Sequence, residues 1–189
     1  GFERGISFDG TRILYSDGDA IMLGDGAGDA DAGSGLIAIG TDAGASHAGF
    51  ESVIIGTNAG ISLAGDYNIA MGNFSGDSNI GDDNVMLSFS AGFANEGYHN
   101  VLLGVQAGAF NTGDDNNMLG QDSGYNNTGS NNTFFGNTAA FNNTGSNNNI
   151  FGNAAGNNNV GSSNNMFGSV AGFDNTGSGN NMLGAGSGD

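Results

Sequence analysis

The chain has 189 residues, with 38 Gly, no Pro and no Cys, and a formal charge of −17 from 19 acidic and 2 basic residues. That charge excludes nucleic-acid binding by phosphate neutralisation and attachment to anionic lipid. The lack of Cys excludes disulfides and thiolate metal sites, and no stretch is apolar for long enough to be inserted across a membrane.

So much Gly usually marks disorder or a fibre. Disorder, however, comes with few aromatics, and this chain has 13 Phe and 4 Tyr. An apolar interior is therefore expected, with the glycines as turn residues.

Residues 1–22 have no period. They hold both basic residues, Arg4 and Arg12, and the alternation in TRILYS (Thr11–Ser16) predicts a strand that caps a stack of repeats. Stacked repeats need such a cap or another end to stack on. The stretch from Ser16 to Gly35 is rich in Asp. Oxygen ligands from Asp17, Asp19, Asp25, Asp29 and Asp31 make it a candidate Ca2+ site. Neither the EF-hand spacing nor the nonapeptide Ca2+-roll repeat is present, so solvated turns are the simpler reading. No other cofactor is implied.

From 23 to 189 the chain is one repeat, sought first because it decides the fold. A large apolar residue with Gly directly after it recurs every 16 residues, from Leu23-Gly24 to Leu183-Gly184, with Leu87-Ser88 as the one variant. Taking that Gly as position zero, position three is Ala or Ser (Ala27 to Ser187), and position four is Gly except at Ala140. Position nine is Gly in all ten complete repeats, Gly33 to Gly177. Position twelve is Asn at Asn68, Asn84, Asn100, Asn116, Asn132, Asn148, Asn164 and Asn180.

A helix would not tolerate three glycines in 16 residues. Short strands with Gly at the corners would. The prediction is an all-β chain, a β-solenoid of about eleven 16-residue coils. Each coil is expected to have two short strands and two turns. Coils stack ~4.8 Å apart, giving a rod roughly 50 Å long. The Asn at position twelve is expected to form a hydrogen-bonded ladder from coil to coil.

Two neighbouring positions before the Gly are apolar throughout, and neighbours in a strand point to opposite faces. Position fifteen (Ile39 to Leu183) is read as the filling of the coil. Position fourteen then points outward, as a stripe of Met86, Leu102, Met118, Phe134, Ile150, Met166 and Met182. A long exposed apolar stripe marks an interface. The expected partner is the same protein, packed around an axis parallel to the rod. The alternative is a bulge that turns both rows inward.

The phrases LIAIGTDAG (Leu36–Gly44), SVIIGTNAG (Ser52–Gly60) and NNTFFGNTAAFNNTGSNN (Asn131–Asn148) resemble the head repeats of trimeric autotransporter adhesins. They are also similar to repeats of bacteriophage tail fibres. The resemblance implies a left-handed β-roll, trimeric in most members, at a cell surface or on a virion. No stalk or membrane anchor is legible in these residues, so a segment rather than a whole autotransporter is expected.

Catalytic chemistry finds little support. The pairs Asp82-Asp83 and Asp114-Asp115 fall at the same repeat positions, ten and eleven, whereas an active site is built once. His47 and His99 occupy unrelated positions and are read as surface residues. Thr112, Thr128, Thr144 and Thr176 supply one Thr per coil, too sparse for the paired Thr array of an ice binder. Phe93, Tyr125, Phe141 and Phe173 at position five form either a strip for stacking on a cell-surface glycan or receptor, or an inter-chain contact. The last repeat stops at position five, so end-to-end stacking through backbone pairing is a further expectation.

The reading as a whole is a non-enzymatic, extracellular, self-associating rod, a trimer or a head-to-tail filament. The shaft or receptor-binding segment of a tail fibre or adhesin head is the alternative, and an ice- or Ca2+-binding solenoid a third.

Overall fold

A computed structural model describes residues 4–8, 11–16, 20–28 and 35–188, the first two segments as backbone. Among these residues there is no helix, and so none long and apolar enough to cross a membrane. The fold is an all-β solenoid. Strands β1 (Arg4–Phe8) and β2 (Thr11–Ser16, the TRILYS segment) form an antiparallel hairpin. The hairpin continues into the ladder, with β2 antiparallel to β3 (Ile21–Leu23) through Leu14↔Leu23 and Tyr15↔Met22.

From β3 onward every strand is three residues long, occupies positions thirteen to fifteen, and pairs in parallel with its neighbour. These strands are β4 (Ile37–Ile39), β5 (Val53–Ile55), β6 (Ile69–Met71), β7 (Val85–Leu87), β8 (Val101–Leu103), β9 (Asn117–Leu119), β10 (Thr133–Phe135), β11 (Asn149–Phe151), β12 (Asn165–Phe167) and β13 (Asn181–Leu183). The sheet runs β1 to β13 in chain order. Register is set by the repeat: Ile37 pairs with Ile21 and Val53, each 16 residues away.

Each coil thus has one strand where the sequence suggested two. The other side of the coil is a succession of turns, because its backbone repeatedly enters the left-handed region. Position two does so throughout, as at Asp42 (φ 54°), Asn58 (φ 56°) and Phe74 (φ 57°); position four does so at Gly44 (φ 62°), and position eleven at Asp83 (φ 56°). Strands cannot pass through such residues, but hydrogen bonds between coils can. Gly40 N–H donates to Leu23 O (2.8 Å), Asp42 N–H to Asp25 O (2.8 Å) and Gly44 N–H to Ala59 O (2.9 Å). Gly, Asn and Asp tolerate the left-handed region best. This conformation therefore accounts for much of the composition.

The interior is a narrow apolar column. Position fourteen and the Ala or Ser of position three fill it, with Leu36 and Leu63 added near the start. Position nine is Gly for a different reason. Its φ is ordinary, but a Cβ at Gly97 would run into the carbonyl of Gly113 in the next coil, and the same holds from Gly49 to Gly161.

Two rows of Asn line the polar side of the column. At position twelve the side-chain oxygen accepts the backbone N–H of the next coil. Asn84, Asn100, Asn116, Asn132, Asn148, Asn164 and Asn180 donate in turn to the row that starts at Asn68, over 2.8–3.0 Å. This is the expected ladder, built from side chain to main chain.

A second row, at position seven, lies outside the sequence-based expectation. Asn79, Asn95, Asn111, Asn127, Asn143, Asn159 and Asn175 are buried. Each of the last six donates from Nδ2 to the Oδ1 of the preceding Asn over 2.7 Å. Each of the seven also closes its own turn onto the carbonyl two residues on, as Asn127 does onto Gly129 O (2.6 Å). Position seven is nearly as regular in the sequence as position twelve, so its spacing alone carries the signal.

Candidate interaction surface

Along each three-residue strand from β3 onward the middle residue points in and the two flanking residues point out. The stripe expected on the surface is therefore inside. Met86, Leu102, Met118, Phe134, Ile150 and Met166 are fully buried, and Met182 is partly buried against the same core. Gly at position four leaves room for most of these side chains, although Phe134 is fully buried in the row where that position is Ala140. A Cβ at Gly92 would overlap the Met86 side chain, and one at Gly124 that of Met118. No bulge is involved. The sequence held the clue at position thirteen, which is Asn or Thr from Asn117 onward. Positions thirteen and fifteen share a face by the two-residue period, so a polar thirteen places fifteen outside.

The outward face is nevertheless apolar, one residue away from the expected row. Position fifteen is apolar in every coil, with Met71 41 % exposed and Phe135 54 % exposed. In β3 to β8 position thirteen is apolar as well, from Ile21 to Val101. The face widens near its middle. There Phe89 and Val105, both exposed, lie at position one, and Phe74 meets Phe89 edge-on at 6.0 Å. From β10 to β12 the row becomes a ridge of Phe135, Phe151 and Phe167, with ring centroids 6.2 and 4.9 Å apart and nearly parallel planes.

Beside that ridge Asn149 donates to Asn165 (2.9 Å) and Asn165 to Asn181 (2.8 Å). No charged residue occurs at positions thirteen to fifteen of any strand from β3 to β13, although the chain carries 19 acids.

The remaining candidates do not converge. Asp17, Asp19, Asp29 and Asp31 lie outside the described residues. Asp25 is exposed at position one, and among the described residues no three His, Asp or Glu are grouped to hold a metal ion. The carboxylates of position ten are engaged with the backbone. Asp66 accepts Phe50 N–H (2.9 Å), Asp82 accepts Asp66 N–H (2.8 Å) and Asp114 accepts Tyr98 N–H (2.9 Å).

His99 stands on the surface between Asp83 (3.7 Å) and Asp115 (3.3 Å), one coil to either side. Its two ring nitrogens face different carboxylates. His47, expected on the surface, is fully buried in the position-seven row, with Nδ1 3.1 Å from Leu63 O. Its coil places that position inward whatever the residue.

Phe93, Tyr125 and Phe141 form one aromatic row completed by Phe110, with centroids 5.6, 5.5 and 5.0 Å apart. Phe110 stands at position six because position five of its coil is the buried Ala109. Tyr125 and Phe141 stack at 4°, turning ring faces toward each other. Phe173 is exposed further along, and Thr112, Thr128, Thr144 and Thr176 are exposed in a single file. In comparisons with family models, with curated proteins and with solved structures, nothing matches this chain.

Proposed function

We propose that this chain is a rigid, non-enzymatic rod of an extracellular fibre, and that its outward strand face packs against the same face of further copies, axes parallel. One observation carries the reading: an uncharged outward face runs from β3 to β13, apolar at both outward positions as far as β8, where the chain is most acidic, and apolar at position fifteen throughout. The face is on the order of 50 Å by 12 Å, or ~600 Å2, from eleven strands at the inter-strand spacing and two rows of side chains. That approaches the ~800 Å2 per partner of a standard interface.

A copy of the same rod is the best-matched partner, because its ridges recur with the same ~4.8 Å rise. Charge opposes the approach of two acidic rods, and salt screens it. Two unit charges ~20 Å apart repel by ~0.2 kcal/mol in water, and the ~8 Å Debye length at physiological salt removes most of that. Only the apolar part of that face gains on burial, and it must exceed the ~4–15 kcal/mol cost of association. The shaft or head segment of a tail fibre or adhesin is the form of this role that the repeats' resemblance supports.

Light scattering coupled to gel filtration tests the reading. The chain should elute as a discrete oligomer. Introducing Met71→Glu together with Phe135→Glu, both outward on the strand face, should yield monomers with an unchanged circular-dichroism spectrum. A wild-type chain that is monomeric at tens of micromolar would sink the proposal.

A further inference from the structure

The columns of the strand face do not stop at β3. Leu14 of β2 pairs with Leu23, and Ile6 of β1 pairs with Leu14, so the backbone register carries the column of position fifteen into the hairpin. Tyr15 continues the column of Met22. The next residue, Ser16, therefore falls in the column of position thirteen and is paired in turn with Arg4. From β1 to β10 that column holds Arg4 and Ser16, then Ile or Val in all six strands from Ile21 to Val101, then Asn117 and Thr133. Two polar strands, six apolar and two polar read the same from either end. The column of position fifteen is apolar throughout.

What each column meets depends on the direction of the second copy. If both rods point the same way, face-to-face contact sets position thirteen of one against position fifteen of the other. Each polar residue it covers then loses water to an apolar neighbour. If the rods point opposite ways, related by a two-fold axis running along the strands between the two faces, position thirteen meets position thirteen and fifteen meets fifteen. With that axis midway between β5 and β6, β3 lies against β8 and β1 against β10. Ser16 is then placed opposite Asn117, Arg4 opposite Thr133, and the six apolar residues opposite one another.

A slide by one coil loses this match. One direction puts Asn117 of each copy against Ile21, and the other puts Ser16 of each against Val101. Each buried polar group left without a partner weakens the misaligned arrangement roughly five- to hundredfold. Charge fits the same alignment. Position eleven, beside the face, also meets itself, so Glu51 stands opposite Tyr67 and Asp83 opposite Gly35; among the described residues no acid there meets an acid. Ten strands in contact cover ~580 Å2 per copy. β11 to β13, whose Asn are already bonded along the rod, lie past the overlap.

We propose that this chain forms an antiparallel dimer through its strand face, on a two-fold axis between β5 and β6. The polar strands on either side of the six apolar ones fix its register. The proposal rests on the self-association reading above.

Because the chain has no Cys, spin labels can be placed without background, one site per chain. Thr57→Cys, Asp25→Cys and Gln121→Cys are at exposed position-one residues, level with β5, β3 and β9. In the antiparallel dimer the two copies of each label are offset along the rod by one, five and seven coils, ~5, ~24 and ~34 Å. Rods pointing the same way would give one distance at all three sites.

Two variants test the register. Asn117→Val lengthens the apolar block to seven strands and moves the axis onto β6. The offset should then grow by ~4.8 Å at Asp25→Cys and shrink by ~4.8 Å at Gln121→Cys. Val101→Asn shortens the block to five strands and should reverse both shifts.

Monomeric wild type overturns the self-association reading, and this proposal with it. Equal distances at the three sites overturn the antiparallel direction alone. Offsets that stay fixed in both variants overturn the register role of the polar strands.

Discussion

At the scale of single residues, this fold runs on conformations that most side chains avoid. Where the left-handed position is Gly or Asn the cost is small; where it is β-branched it is not. Val170 has φ 61° and Ser88, at the one position zero that is not Gly, has φ 127°. Strain of this kind costs on the order of 1–3 kcal/mol per residue, of which the greater freedom of unfolded Gly takes back ~0.5–1 kcal/mol. Val170→Gly and Ser88→Gly should therefore each stabilise the rod by ~1 kcal/mol, raising Tm by ~2–4 °C in a chain of this size. Calorimetry decides it. A fall in Tm for both would mean that the side chains contribute more by contact than they cost in strain.

At the scale of the repeating element, the two Asn rows differ in kind from the Asn on the surface. Asn127 donates to Asn111 (2.7 Å) and to Gly129 O (2.6 Å), and its oxygen accepts from Asn143 (2.7 Å). Removing it leaves a buried donor on Asn143 short of a partner, a carbonyl uncovered and a cavity. The expected cost of Asn127→Ala is ~3–5 kcal/mol, from desolvated polar groups plus lost packing. Its neighbour Asn126 donates to Asn142 over 3.1 Å, but in solvent. Asn126→Ala should cost only ~1 kcal/mol, since water replaces that partner and what remains is the lower tolerance of Ala for the left-handed backbone there (φ 56°). Urea denaturation of the two variants separates a structural ladder from a surface ornament: similar losses would contradict this account.

At the scale of the whole molecule, each coil contacts only its neighbours, so stability should behave as a sum over coils and their interfaces. Deleting 121–136, one complete repeat, should leave a folded rod shorter by ~4.8 Å. Deleting 121–135 puts every later residue one place out of register and exchanges inward and outward rows. The shortened chain should then lose its cooperative melt. Circular dichroism and small-angle scattering on the pair test whether register, rather than length, holds the rod together.

Much of this is legible in the residues alone. The 16-residue period, the all-β solenoid and the Asn ladder of position twelve come from spacing, because every coil meets the same constraints and so repeats the same answer. The position-seven ladder is legible by the same spacing, though only the structure drew it out. What spacing could not reveal is the path between strands. Repeated left-handed residues turn an expected second strand into turns, and a composition rich in Gly and Asn is compatible with either.

Which apolar row lies inside is legible from the polar position thirteen after Asn117, but in β3 to β8, where that position is Ile or Val, it was decided by tertiary packing. Positions fourteen and fifteen are both apolar, and in most coils the side chain that enters is the one facing the Gly of position four across the coil. That contact joins residues that are not neighbours along the strand, and it moved the candidate interface by one residue while leaving its chemistry apolar. The sequence by itself determined that this is a solenoid with one buried and one exposed apolar row. The three-dimensional closure of the coil determined which row is which, because burial belongs to the closed coil and not to any single strand.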